Sequence, residues 1–347
     1  MTGARDAGPV HEGPRTLNRI FQGIPGAFLA AMAIALGFVA FLAVDQQHWW
    51  RLKPDYAFGW LVPVFVVYLV TDRWPRLREM FRGEGRSAMP GWLRALVSTA
   101  AALGFGLGLA LFMLGAAYRA ASGATQPGSL ILAMGFCGVL LGMVYFNVPD
   151  VRVGAPRPEG ILGSLRSDAR LRATGLFLFP AGVWMISAPL ASAVESAVSL
   201  FLLQKVVAVV FAIFSLLGFP LVREGNVLVL PHGQVGVEDA CSGIRSLTGC
   251  LFAGSFLAAV FLERFWKKVL LVAAALVLAF LTNLLRSLFL TAWAYAYGSE
   301  AIEGPLHDGT GLAVLGLTCA GLFCLLPLFK GDTWRRWLGL DPKHDIQ

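Results

Sequence analysis

The sequence predicts an all-α, polytopic membrane helix bundle, and three features point to it. Of 347 residues, 57% are apolar and only 14% are charged, against about 25% charged in an ordinary soluble domain. Apolar runs of roughly the 20 residues that cross a bilayer recur along the chain. Lys and Arg gather in the short loops between those runs. This composition excludes a soluble enzyme and a disordered chain, and the 39 glycines follow no collagen-like Gly-X-Y period. A net charge of +7 on a soluble chain would suggest nucleic acid. Here the arginines lie between apolar runs, so they read as membrane-orienting charge, with no nucleic-acid partner.

Eight spans are expected, at 24–44, 56–71, 93–117, 129–148, 172–191, 243–262, 269–293 and 311–329. The first is too long for the apolar core of a cleaved signal and lacks a small-residue exit, so it reads as a retained anchor. Residues 1–23 then form an N-terminal tail, 24–191 a membrane region of five spans, 192–329 a core with three more, and 330–347 a C-terminal tail. Direction follows from charge. The loops holding Arg73, Arg76 and Arg78, those holding Arg166, Arg170 and Arg172, the turn at Arg264, Lys267 and Lys268, and the tail with Arg335 and Arg336 all fall on one side. The positive-inside rule makes that side, and both tails, cytoplasmic.

Residues 194–222 are apolar enough for a further span, yet a crossing there would break the charge parity. Glu195, Gln204 and Lys205 interrupt the run, and a mid-membrane Lys costs roughly 2.5–3.5 kcal/mol on insertion scales. The expectation is an amphipathic helix at the outer interface that returns to the face it left. After it, 225–237 reads as two short strands around Pro231-His232-Gly233, an external β-hairpin.

That hairpin leads into Ala240-Cys241-Ser242-Gly243-Ile244-Arg245-Ser246, which opens the sixth span. Five cysteines cannot all pair, and no C-x-x-C occurs. Cys137, Cys250, Cys319 and Cys324 sit inside apolar runs and read as small buried hydrophobes. Cys241 differs, because a helix N-terminus favours the thiolate and Arg245, one turn on, would lower the thiol pKa further. Gly243 lets another backbone or a substrate approach closely. Taken alone, the motif could equally be a chance Cys at a helix cap.

Two further blocks add weight. Thr282-Asn283-Leu284-Leu285-Arg286-Ser287 places an Arg inside a long apolar helix, where it is expensive and by default functional. Asn283 is on the same face as Arg286. The third block, Leu306-His307-Asp308-Gly309, enters the eighth span on the external side. His11 and His344 lie in polar tails, His48 in a Trp-rich segment suited to an interface anchor, and His232 stays a second candidate. Cys241, Arg286 and His307 then lie on three consecutive spans near the outer leaflet. A thiolate that forms an acyl-enzyme, a cation for the oxyanion and an imidazole that moves protons together suit thiol-dependent acyl transfer. No H-E-x-x-H, Cys/His cluster, P-loop or dinucleotide fingerprint is present, so no metal or cofactor is expected.

The Ala240–Ser246, Asn283–Arg286 and His307–Asp308 blocks resemble the three signature blocks of the exosortase/archaeosortase family, in order, spacing and membrane placement. The resemblance covers about 195–329 well and 1–190 more weakly. At Ala57-Phe58-Gly59 the chain departs from the Ser-His-Gly of many members. The resemblance implies a membrane Cys transpeptidase that processes secreted proteins ending in a tripartite signal, of the PEP-CTERM kind: a short motif, a transmembrane helix and a basic tail. It implies Cys241 as nucleophile, Arg286 as oxyanion stabiliser and His307 as acid/base, with Arg245, Asn283, Asp308, Gly243 and Ser242 supporting. It implies the bacterial inner membrane, an outward-facing site and an association with exopolysaccharide machinery. A transporter, or a non-catalytic assembly factor for polysaccharide export, is the alternative.

Overall fold

The computed structural model describes residues 22–154, 160–231, 233–236, 244–302 and 304–330. In chain order the helices are α1 (Gly26–Leu52), a 3-10 helix (Pro54–Leu61) running into α2 (Val62–Phe81), α3 (Gly91–Ser122), α4 (Gln126–Asn147), the short α5 (Gly160–Ser167), α6 (Ala169–Ser187), α7 (Ser192–Leu216), α8 (Ile244–Phe261), α9 (Phe265–Tyr297), a second 3-10 helix (Ser299–Ile302) and α10 (Pro305–Lys330). Every expected span is thus a helix. Among the described residues, seven helices are long and apolar enough to cross a membrane: α1, the 3-10 helix with α2, α3, α4, α7, α9 and α10. The protein is a multi-pass membrane helix bundle.

Two of the eight expected spans, α6 and α8, fall short of that apolar length, yet both run the height of the bundle. Its two ends are marked by Asp55 and Asp150. At the Asp150 end Arg170, at the start of α6, pairs with Asp150 at 2.6 Å. At the other end the Gln46 amide donates to the carbonyl of Trp184, near the end of α6, at 2.9 Å. Likewise α8 starts with Arg245 on Asp55 at 3.2 Å and finishes with the Ala259 carbonyl accepting from Arg73 at 3.2 Å. A buried Arg on the last carbonyls of a helix satisfies groups that have no partner within the helix.

Several helices outrun their apolar stretch. The expected first span stops before Asp45, but α1 continues to Leu52 with Asp45 and Gln46 buried. Both are matched by other helices. Arg119 of α3 pairs with Asp45, and Gln46 bonds α6 both through Trp184 and by accepting from the Ser187 hydroxyl at 2.7 Å. Polar residues that look like a span's end are therefore internal contacts. The N-terminal core centres on α4, where Leu132, Ala133, Phe136, Val139 and Val144 are fully buried. Helix α3 meets α4 through glycines: a Cβ on Gly108 would lie 2.7 Å from the Gly138 Cα. Small residues at a membrane helix interface allow this backbone approach.

The segment expected as an interfacial helix over 194–222 needs two corrections. Its helix, α7, stops at Leu216, and residues 222–224 are a strand instead. It is also not amphipathic. Leu203, Val206, Val207, Val210 and Phe214 form a buried stripe, while Val194, Leu200, Phe201 and Leu216 on other faces are exposed and equally apolar. By length and composition it could cross a membrane. Its ends, however, both lie towards the Asp55 end. Glu195 pairs with Lys53 at 2.7 Å, and Phe214 packs on Tyr295, near the end of α9. Helix α9 is antiparallel to α8, whose first turn holds Asp55, so that end of α9 belongs to the Asp55 side. Both ends of α7 thus contact residues towards the Asp55 end.

The expected hairpin over 225–237 is part of a three-stranded antiparallel sheet, β3 (Val222–Glu224), β4 (Val227–Leu230) and β5 (Gly233–Gly236). Gly225 takes a φ of +63° in the turn from β3 to β4, a conformation glycine adopts without strain. The sheet lies against the second 3-10 helix, where a Cβ on Gly233 would come 2.6 Å from the Ser299 hydroxyl. A smaller pair, β1 (Glu84–Arg86) with β2 (Val151–Arg152), closes the Asp150 end.

Candidate functional site

Arg286 sits on α9, a helix that is apolar around it, and His307 sits in the first turn of α10, which opens with Pro305. Proline suits that position because its missing N–H would have no partner there. Arg286 Nη2 lies 3.0 Å from His307 Nε2 and donates to the His307 carbonyl at 3.1 Å. Arg286 Nε donates to Thr310 Oγ1 at 3.3 Å, and that hydroxyl donates to the His307 carbonyl at 2.9 Å. A guanidinium carries only donors, so Nε2 accepts and the ring proton resides on Nδ1. Both Arg286 and His307 are half-buried. Among the described side chains no carboxylate pairs with Arg286. Its charge is bound by neutral acceptors and stays available to an anion that develops nearby.

Asn283, one turn before Arg286, is 4% exposed, and its Oδ1 has no hydrogen-bond partner among the described residues. Arg245 takes a different direction from the expected one. Its Nε donates to Asp55 Oδ1, and the Thr248 hydroxyl donates to the Asp55 carbonyl at 2.8 Å. The first turn of α8 is therefore fastened to the link between α1 and the 3-10 helix. Cys241, Ser242 and Gly243 lie outside the described residues, as do His232 and the side chain of Asp308. Of the other cysteines, Cys250 is buried and Cys137 and Cys319 are half-buried. Cys324 is exposed, a correction to its expected burial: α10 turns that face outward.

Helix register fixes the level of the pair. Gly254 of α8 packs on Ala275 of the antiparallel α9, where a Cβ would come within 2.6 Å. Counting equally along both helices from that contact brings Ile244 level with Leu285 and Arg286. Gly249 of α8 faces Leu315 of the parallel α10 at 3.8 Å, and the same count brings Ile244 level with Thr310. The first turns of α8 and α10 thus lie level with Arg286, which is about three turns short of the end of α9. Thr310 and Asp55 were not among the residues singled out from sequence. Thr310 had a signal, being one turn from His307 on the same face. Asp55 opens the block that holds Ala57-Phe58-Gly59, but its contact with Arg245, distant in sequence, gave no signal.

The family model for transmembrane exosortases matches residues 49–324, well over half of the chain. The chain belongs to that family. No match is found among curated proteins, and none among solved structures.

Proposed function

We propose that this transmembrane exosortase is a cysteine transpeptidase that cleaves a C-terminal, membrane-anchored sorting signal from secreted proteins. The observation that carries the reading is the Arg286–His307 contact: a cation without a described counter-ion, held 3.0 Å from an imidazole. Cys241 is the proposed nucleophile. It is three residues from Ile244, the first residue of α8 at the height of that pair, and three residues of chain reach at most about 11 Å.

In the proposed reaction His307 accepts the thiol proton and the Cys241 sulfur attacks the scissile carbonyl carbon. The carbonyl oxygen becomes an oxyanion beside Arg286. The C–N bond breaks as the imidazolium gives its proton to the leaving amine, which leaves the acyl group as a thioester on Cys241. An incoming amine, or water, then gives a proton to the imidazole, attacks the thioester and releases the thiolate. Arg245 supports the site by fixing the start of α8 to Asp55. Asn283 and Asp308 are the remaining supporting side chains, beside Ser242 and Gly243.

The proposed setting is the bacterial inner membrane, with the Asp55 end outside and both tails in the cytoplasm. Arg76, Arg94, Arg170, Arg172 and Lys268 all lie towards the Asp150 end, which fits that orientation. The test is mass spectrometry of protein trapped with a membrane-anchored substrate. A substrate fragment thioester-linked to Cys241 is expected, and Cys241→Ala should lack it. Full processing by Cys241→Ala would remove the nucleophile and the proposal with it.

A further inference from the structure

An apolar groove of about 500 Å³ runs down the outside of α8, between α2 and α10. Its mouth is the Asp55–Arg245 pair. Its floor is one stripe of α8 from Arg245 to Leu257, about 18 Å at 1.5 Å per residue. Phe58 and Phe65 form one wall, Leu315 and Phe323 the other. Leu315 is 40% exposed and Phe323 58%, so the groove is open sideways, along helices that are themselves apolar enough to lie in a bilayer.

Two features identify what the groove accepts. First, the floor carries Gly249 and Ala253, one turn apart. Gly254 and Gly321 are used inside the fold, since a Cβ there would strike Ala275 at 2.6 Å and Leu278 at 2.7 Å. Gly249 is not used that way: a Cβ would meet only Leu315, at an ordinary 3.8 Å. Its missing side chain leaves room on the groove side, where small residues admit another helix backbone. Second, the groove's mouth is level with the site: Arg245 follows Ile244, which the helix register places at the height of Arg286 and Thr310. Leu315 lies two turns below His307 on the same helix, about 12 Å along its axis.

We infer that this groove seats the transmembrane helix of the substrate, parallel to α8, so that the peptide segment leaving the helix emerges at Arg286 and His307. The inference rests on the transpeptidase reading for the identity of the guest. A membrane-anchored guest reaches the groove by lateral diffusion, and its scissile bond is then held in place by the seating of the helix, not by contacts at the reacting atoms alone.

The test uses the full chain in membranes, with a tagged reporter ending in a single transmembrane helix and a basic tail. Cys319 lines the groove and is a free thiol. In a Cys241→Ala background, which does not consume the reporter, single cysteines are scanned along the reporter helix and oxidised. Cross-links to the enzyme are expected at positions three to four apart, and Cys319→Ala should abolish them. Processing by otherwise wild-type enzyme should fall about tenfold or more with Gly249→Leu, which fills the floor. Gly104→Leu, on α3 where nothing lies within 4 Å of a built Cβ, should leave it unchanged. Absence of periodic cross-links overturns the groove assignment whether or not the reporter is cleaved. So does a phospholipid that co-purifies, is stripped by Gly249→Leu, and leaves processing intact. Cross-links without any processing by wild-type enzyme would keep the groove and overturn the transpeptidase reading instead.

Discussion

The N-terminal helices and the C-terminal helices both bury polar side chains, but to different ends. Among α1, α3, α4 and α6 the polar groups join one helix to the next. Asp45 pairs with Arg119, Gln46 bridges to Trp184 and Ser187, the Trp49 indole donates to Ser129 at 2.8 Å, and the Trp50 indole donates to the Ser187 carbonyl at 3.2 Å. Among α8, α9 and α10 the Thr282 and Thr318 hydroxyls also link two helices, at 2.8 Å, but the Arg286 cation has no described carboxylate and Asn283 keeps an oxygen without a described partner. The first pattern ties helix to helix, although Asp45 Oδ2 and Trp184 Nε1 also have no described partner. The second leaves polar capacity for something that is not part of the fold.

Substitutions can break or sharpen this contrast. The largest effect is expected at the reacting groups. Cys241→Ala should abolish processing of a tagged substrate, and Arg286→Ala should slow it by about 10²–10³, while both proteins insert and melt like the parent. A melting temperature that collapses in Arg286→Ala would make this Arg part of the scaffold. Next comes Arg119→Ala, which strands Asp45, only 1% exposed. A loss of roughly 3–5 kcal/mol is expected, read from thermal unfolding in detergent, with Asp45→Asn in the same chain recovering much of it. Asn283→Leu should behave in the opposite way. Folding stability should hold or rise, since a buried oxygen without a described partner is removed, while processing falls several-fold. Unchanged processing would return Asn283 to the scaffold. The smallest effect is expected for Asp55→Asn. Arg245 is 65% exposed in that pair, and exposed pairs contribute about 0–1 kcal/mol, so the melting temperature should barely move.

The same contrast explains what could be read in advance. Span positions were legible because membrane crossing demands apolar length, and Arg286 was legible because a guanidinium within such a length is costly. Its proximity to His307 followed from antiparallel order alone. Span ends were not legible. Asp45 and Gln46 look like an exit until Arg119 and Ser187, far along the chain, are known to meet them. The third strand escaped for a similar reason: Val222–Glu224 has no alternating pattern of its own and is defined by its pairing with Val227–Val229. For α7, charge parity spoke only to the side its ends face. Its length and its even apolarity had to come from the fold.

The bond between Arg286 and His307 has one more implication. Nε2 offers a single lone pair, and a guanidinium hydrogen occupies it. A proton arriving at that nitrogen must displace that guanidinium hydrogen, because two cations cannot share it. Charging the ring thus releases one guanidinium hydrogen towards a new anion, while the His307 carbonyl and Thr310 keep the arginine in place.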